Sequence, residues 1–193
     1  FIKLKNKNNR MWNLMLLRIF KFFLENPYGE VYLRELAKKL KLSPFAIKKY
    51  IELLIKENLV KDERKANLRY FKANINNLFF KHLKIAFSIN LLIKSGLIDF
   101  LKESIVNVSS ITLFGSMAKG EDSKESDIDI VVIGKEKNFN LSRAKEKIGR
   151  EINLHIFSWS EWNKKAKQDK PFYFEVISHG IQLYGELPLV RWK

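Results

Sequence analysis

The 193-residue chain has no cysteine. That excludes a disulfide framework, a thiolate zinc site and a thiol nucleophile. Histidine is nearly as scarce: His82, His155 and His179 lie far apart without ligand spacing, and each reads as a helix or strand residue rather than a zinc ligand. Any metal therefore has to be bound by oxygen. No apolar run is clean enough to span a bilayer, because Arg18 and Lys21 break the stretch from Met11 to Leu24 and several lysines break that from Leu78 to Leu101. Lys3, Lys5, Lys7 and Arg10 at the start faintly imitate a signal peptide, but no small-residue cleavage site follows, so a cytoplasmic location and no membrane partner are expected. The first residue is Phe1 and not methionine, as a trimmed chain would show. No internal repeat or low-complexity linker is present.

Acidic residues are the other shortage, and it is uneven. Residues 1–104 hold 22 Lys and Arg against 9 Asp and Glu, whereas residues 105–193 hold 14 against 12. The whole chain carries a formal charge of +15, nearly all of it in the first half. Such asymmetry points to a polyanion partner for that half, with a solubilising lysine-rich surface as the plainer alternative. The hydrophobic content of 46% fits a globular protein, and the length allows one large domain or two small ones.

The most informative segment lies in the second half. Ser110-Ile111-Thr112-Leu113-Phe114 and Ile128-Asp129-Ile130-Val131-Val132-Ile133 are β-branched runs bounded by Gly and polar residues, which predicts two strands. Gly115-Ser116 follows the first, and its turn would leave backbone N–H groups free for phosphate oxygens. Ten residues separate Ser116 from Asp127. Alternation along a strand sends Asp127 and Asp129 to one face and Ile128 and Ile130 into the core. A carboxylate pair two residues apart can hold Mg²⁺ against a triphosphate. Two like charges on one face without a counter-ion would be disfavoured on a merely solvated edge.

Gly-Ser, ten residues, then Asp-x-Asp resembles the signature of the nucleotidyltransferase domain of the DNA polymerase β superfamily, especially its minimal nucleotidyltransferases. Ala118, Lys119 and Gly120 fill the small-basic-Gly positions, and Ser126 precedes the first Asp as in that family. The resemblance implies that Asp127 and Asp129 hold one or two Mg²⁺ ions, that Gly115, Ser116, Lys119 and Ser126 surround a nucleoside triphosphate, and that a nucleotidyl group is transferred to an acceptor. One position departs from the pattern. The superfamily usually places a third carboxylate on the next strand, Glu151 to Phe157 here, and alignment on Arg150-Glu151-Ile152-Asn153-Leu154 puts Asn153 there. An asparagine can ligate a cation but cannot act as a general base near neutral pH. Glu151, two residues away on the same face, either substitutes as a catalytic acid or is a solvated strand-start residue. His155 shares that face and either meets a phosphate or closes the sheet.

In the first half, the dense apolar residues from Met11 to Glu25 predict a buried helix ending at Asn26-Pro27-Tyr28-Gly29. Tyr32 to Leu40 places Leu33, Leu36, Ala37 and Leu40 on one helical face. Ser43 is a plausible N-cap with Pro44 at the first helical position of a third helix running to about Asn58. Its apolar face is Ile47, Ile51, Leu54 and Ile55, which turns Ala46, Lys48 and Lys49 outward. Leu59 to Phe71 reads as strand, basic turn and strand. Residues 11–74 resemble the winged helix-turn-helix family, in the Leu-Ala pair of the second helix, the Leu-Ser turn and the Leu-Val leading into a basic hairpin. That resemblance implies double-stranded DNA as a partner, touched by Ser43, Ala46, Lys48 and Lys49 from the third helix and by Arg64, Lys65 and Arg69 from the wing. Winged helices also serve as protein-interaction modules.

Asn74 to Asn77 offers caps for an apolar-rich helix from Leu78 to Lys94, stopped by Gly96. Its apolar excess leaves packing on the second half or a homodimer contact open. Leu97 to Val106 reads as a helix, Gly134 to Asn140 as a polar loop and Leu141 to Gly149 as a short helix. Ser158 or Ser160 caps a helix carrying Trp159 and Trp162 as packing anchors, with Glu161 in capping-box spacing. Phe172 to Leu183 has helical spacing. The expectation is an α+β chain: a winged helix-turn-helix domain at 11–75, connecting helices at 76–103 and a nucleotidyltransferase domain with a mixed sheet at 104–193. Its alternative function is that of a transcription regulator or antitoxin-like protein, paired with a toxin-type partner, whose nucleotide-binding domain is weakly active or inactive.

Overall fold

The computed structural model describes residues 9–135 and 140–191. The basic start at Lys3, Lys5 and Lys7, and residues 136–139 of the loop after Gly134, lie outside the described residues. The chain divides into two units, residues 1–81 and 82–193.

In the first unit, α1 (Asn9–Glu25), β1 (Glu30–Tyr32), α2 (Leu33–Leu40), α3 (Pro44–Lys56), β2 (Val60–Lys65) and β3 (Leu68–Ala73) follow one another. The strands form an antiparallel sheet in the order β1-β3-β2, with Val31 opposite Phe71 and Val60 opposite Ala73. Helix, strand, helix, turn, helix and two-stranded wing is winged helix-turn-helix architecture. The turn forms where expected: α2 stops at Lys41, whose φ of 52° is left-handed, and the Ser43 hydroxyl accepts from the Ala46 N–H at 3.2 Å with Pro44 behind it. Ile19, Phe23, Leu36, Ile47, Ile51 and Phe71 are fully or almost fully buried and make the core. Tyr50 joins the buried face of α3.

Two expectations change here. α1 is not buried all round: Ile19, Phe20, Phe23 and Leu24 face the core, but Leu14 and Leu17 are exposed, because only one side of the helix has elements to pack against within this unit. Tyr32 lies on β1 rather than in α2, because pairing with Tyr70 of β3 draws Glu30 to Tyr32 into the sheet.

The second unit takes in most of α4 (Leu78–Ser95), whose first turn is capped by Asn77 Oδ1 accepting from the Phe80 N–H at 3.0 Å. There follow α5 (Leu97–Ser104), β4 (Val106–Phe114), α6 (Gly115–Lys119), β5 (Ile128–Lys135), α7 (Ser142–Ile148), β6 (Ile152–Phe157), α8 (Trp159–Gln168), α9 (Lys170–His179) and β7 (Ile181–Gly185). The sheet order is β6-β5-β4-β7, with β5 and β6 parallel and β4 antiparallel to both of its neighbours. It is mixed, as expected. One face packs Ile111, Leu113, Ile128, Ile130, Val132 and Ile152 against residues of α4, α5 and α6. The other packs Phe114, Val131 and Ile133 against Trp162, Ala166, Tyr173 and Val176 of α8 and α9. Ser158 and Glu161 complete the capping box on α8. Trp162 is fully buried and its Nε1 donates to the Pro188 carbonyl at 2.7 Å, whereas Trp159 is exposed.

Here too the structure corrects segment ends. The helical run from Phe172 stops at His179, and Ile181 to Gly185 is an edge strand against β4. Ile181 and Leu183 satisfy a period of two as well as a helical one, and the open edge of β4 decides between them. Likewise α5 ends at Ser104, since Val106 is claimed by its pairing with Lys135. Among the described residues no helix is long and apolar enough to cross a membrane.

Candidate functional site

On β5, the side chains of Asp129, Val131 and Ile133 share one face of the sheet. α8 and α9 cover Val131 and Ile133, which are buried, while Asp129 is half-buried and Asp127, just before the strand, is exposed. The acids thus sit where the helical cover ends. Pairing in parallel with β6 sets Asn153 beside Asp129. Its Nδ2 donates to Asp129 Oδ1 at 3.0 Å and to Asp127 Oδ2 at 3.2 Å, so one amide bridges both carboxylates. Neither aspartate has an ion pair among the described residues. Two carboxylates bridged by a neutral amide, with no ion pair to either among the described residues, form a donor set that fits a divalent cation. Asn153 would present its carbonyl oxygen to such an ion after a half-turn of the amide.

Gly115 closes the other side of the pair. Its φ is +72°, and a Cβ there would overlap Asp129 Oδ2 and lie 3.2 Å from Cγ. The carboxylate therefore rests directly on the glycine backbone. Ser116 follows at the start of α6, half-buried. Ser126 faces inward on its own loop: its hydroxyl accepts from the Ser123 N–H at 2.9 Å, and its carbonyl accepts from Arg150 Nε at 2.7 Å. Lys119 is held by Glu175 of α9 at 2.9 Å. Hydrogen bonding to Glu175 raises the Lys119 pKa, and the same bond lowers that of Glu175.

The structure therefore brings Gly115, Ser116, Asp127 and Asp129 into one place, with Asn153 between the acids. It does not bring Glu151 there. That side chain pairs with Lys145 of α7, and Ile152 is the first residue of β6, so Glu151 lies just outside the strand. No group of three His, Cys, Asp or Glu residues able to hold a metal occurs among the described residues. Glu151 and Asp127 share the lining of an open cavity of about 420 Å³ with Lys124, Lys145 and Arg150. His155 stays exposed on the acid-bearing face, its ring 5.5 Å from that of Phe172 and 5.8 Å from that of Phe114.

In the first unit, Lys48 and Lys49 are exposed near the start of α3, Ala46 is half-buried, and the Ser43 hydroxyl is used as a cap. The wing residues differ among themselves. Arg69 is held by Asp62 at 2.6 Å and also pairs with Glu52, and these bonds, Asp62 first, raise its pKa well above the ordinary value. Lys65 pairs with Glu30, whose hydrogen bond raises the lysine pKa. Arg64, opposite Arg69 in the hairpin, is exposed and outside any ion pair among the described residues. Phe45, 81% exposed on the first turn of α3, was not among the expected contact residues. The outward position of a helix start capped at Ser43 was the signal that could have found it.

Residues 96–187 match the family described as Polymerase beta, Nucleotidyltransferase. Among solved structures, a toxin-antitoxin crystallised with AMP-PNP is 24% identical over 51% of this chain and 73% of its own, with a TM-score of 0.36. A mutant of the toxin-antitoxin MntA-HpeT is 22% identical over 48% of this chain and 72% of its own, with a TM-score of 0.34. NolR from Sinorhizobium fredii is 19% identical over 46% of this chain and 94% of its own, with a TM-score of 0.32. No curated protein matches the chain.

Proposed function

Because residues 96–187 are a nucleotidyltransferase domain of the polymerase β family, we propose that this unit binds a nucleoside triphosphate with Mg²⁺ and transfers its nucleotidyl group to a hydroxyl acceptor, while the winged helix at residues 11–75 holds double-stranded DNA. The carrying observation is the aspartate pair bridged by Asn153 and seated on Gly115. Asp127 and Asp129 would hold the ion or ions, with Asn153 supplying a neutral oxygen. When bound, Mg²⁺ neutralises charge that develops as the acceptor oxygen attacks the α-phosphate in line and pyrophosphate leaves. Ser116 and the backbone of the Gly115 turn would offer hydrogen bonds to the outer phosphates. Lys119 supplies positive charge from the end of α6 but remains tied to Glu175.

A second reading rests on Asn153 itself. An amide at this position takes no proton from the acceptor, so the unit would bind nucleotide and transfer slowly or not at all. A transcription regulator or antitoxin-like protein with a toxin-type partner fits that behaviour. Titration of each nucleoside triphosphate with Mg²⁺ by calorimetry, with pyrophosphate release followed in the same samples, separates the two. Binding with release that disappears in Asp127→Asn supports transfer. Binding without release under any acceptor supports the second reading, and no binding at all by wild type refutes both. For the DNA module, log affinity for duplex DNA is expected to fall against log salt with a slope of about −4 to −5 if around five basic residues meet phosphate. A protein that retains no duplex at low salt does not use this module on DNA.

A further inference from the structure

Behind Asp127 lies a group of charges that the proposed chemistry does not use. Asp122, on the loop between α6 and β5, accepts a hydrogen bond on Oδ2 from Arg150 Nη1 at 3.0 Å, and Lys84 Nζ of α4 lies 3.1 Å from its Oδ1. The side chains of Arg150, Asp122 and Lys84 are 8%, 3% and 3% exposed. Arg150 Nη2 is buried without a hydrogen-bond partner, and the Oδ1 of Asp122 has its ion pair without an aligned hydrogen bond. A buried arginine with one unbonded N–H group is a poor source of stability, since taking an ion out of water is costly unless its hydrogen bonds are complete.

What the arrangement supplies is geometry. Arg150 Nε donates to the Ser126 carbonyl at 2.7 Å, and the Ile128 N–H donates to the Glu151 carbonyl at 2.9 Å. These bonds hold the two peptide groups that flank Asp127. Both are anchored at residues 150 and 151, just before the strand from which Asn153 projects.

We propose that Arg150, locked in place by Asp122, is a positioning residue that aligns Asp127 with Asp129 and Asn153 so that the pair is presented to a divalent cation. The proposal rests on the metal role given to that pair above. Arginine is needed because one planar fork serves Asp122 and Ser126 together, which a lysine ammonium on a flexible stem does not reproduce. Lys84 pairs with the other oxygen of Asp122 and shares the burial, whereas the bond to the Ser126 carbonyl comes from Arg150.

The test uses the full chain and Mn²⁺ alone as the probe, with bound metal read from the loss of the free-ion paramagnetic resonance signal and thermal unfolding recorded without metal. Wild type is expected to bind and Asp127→Asn to lose binding. Arg150→Met and Arg150→Lys should weaken Mn²⁺ binding by about 10–100-fold, the range for residues that orient metal ligands. Lys84→Met should unfold at lower temperature yet keep the wild-type affinity. Unchanged affinity in both Arg150 variants overturns the proposal, as does a loss in Lys84→Met equal to that in Arg150→Met. If Arg150→Met does not fold, Asp122→Asn carries the same expectation at nearly constant volume. Binding by Asp127→Asn as tight as wild type would instead overturn the metal role itself, and the positioning role with it.

Discussion

Replacing Gly115 with alanine should separate two costs that the structure superimposes. The first is backbone strain, because φ is +72° and a β-carbon in the left-handed region costs about 1–2 kcal/mol. The second is the collision with Asp129, whose carboxylate must leave its rotamer at about 0.5–1.5 kcal/mol. Gly149 isolates the first term, since its φ is also +72° but a Cβ there would meet nothing within 4 Å. At roughly 4 °C per kcal/mol for a domain of this size, Gly149→Ala should lower Tm by about 4–8 °C and Gly115→Ala by about 6–14 °C. The functional difference should be larger. A rotated Asp129 no longer faces Asn153 and Asp127, so Gly115→Ala should lose nucleotide binding in Mg²⁺ by at least about tenfold, as residues orienting metal ligands do, while Gly149→Ala binds like wild type. Calorimetric unfolding without ligand and nucleotide titration of the same preparations measure both effects. If Gly115→Ala bound nucleotide as tightly as Gly149→Ala, the carboxylate would not be working against the glycine and the site would be assigned wrongly.

Asn153→Asp puts a third carboxylate where an amide now donates to two, so the metal-free protein should unfold earlier and Mg²⁺ should restore it; unfolding curves insensitive to Mg²⁺ would count against a cation there. The Lys119–Glu175 pair predicts two pH limits. Glu175 has its pKa lowered from 4.5, so its contribution is present above that value and lost as pH falls through the lower folded-state value; Lys119 has its pKa raised from 10.5, so its contribution is present below that and lost only as pH rises through the higher one. The stability gap between wild type and Glu175→Gln, which also removes the contact with His179 at 3.3 Å, should therefore shrink in acid as pH falls through the lowered Glu175 value, and a gap that widens in acid would contradict the pairing. Lys48→Ala and Arg64→Ala should each reduce the salt slope of DNA binding by about 0.9. Arg69→Ala, which strips Asp62 and Glu52 of their partner, should mainly lower stability; the reverse ranking in a salt titration would place Arg69 on the DNA instead.

What the sequence determined by itself is what depends on near neighbours along the chain. Alternation on Asp127 to Ile133 placed two acids on one face, Ser43 and Pro44 marked the start of α3, and Ser158 with Glu161 marked that of α8. These patterns follow from helix and strand periodicity and from caps spanning three residues, so they need no tertiary partner. Only the tertiary structure decided which groups meet. It paired Glu151 with Lys145 rather than the aspartates, tied Lys119 to Glu175 and Arg69 to Asp62 and Glu52, and buried Asp122 between Lys84 and Arg150. It also turned Ile181 to Gly185 into a strand by offering it the edge of β4. Asn153 shows the division most clearly. Its position was legible from alignment alone, but its two bonds cross 26 and 24 residues of sequence and exist only because β6 lies parallel to β5 in this register. A side chain's charge and its periodic face are local properties, whereas its partner is chosen by how distant segments pack, and that choice decides whether a polar residue forms a site or merely balances a charge.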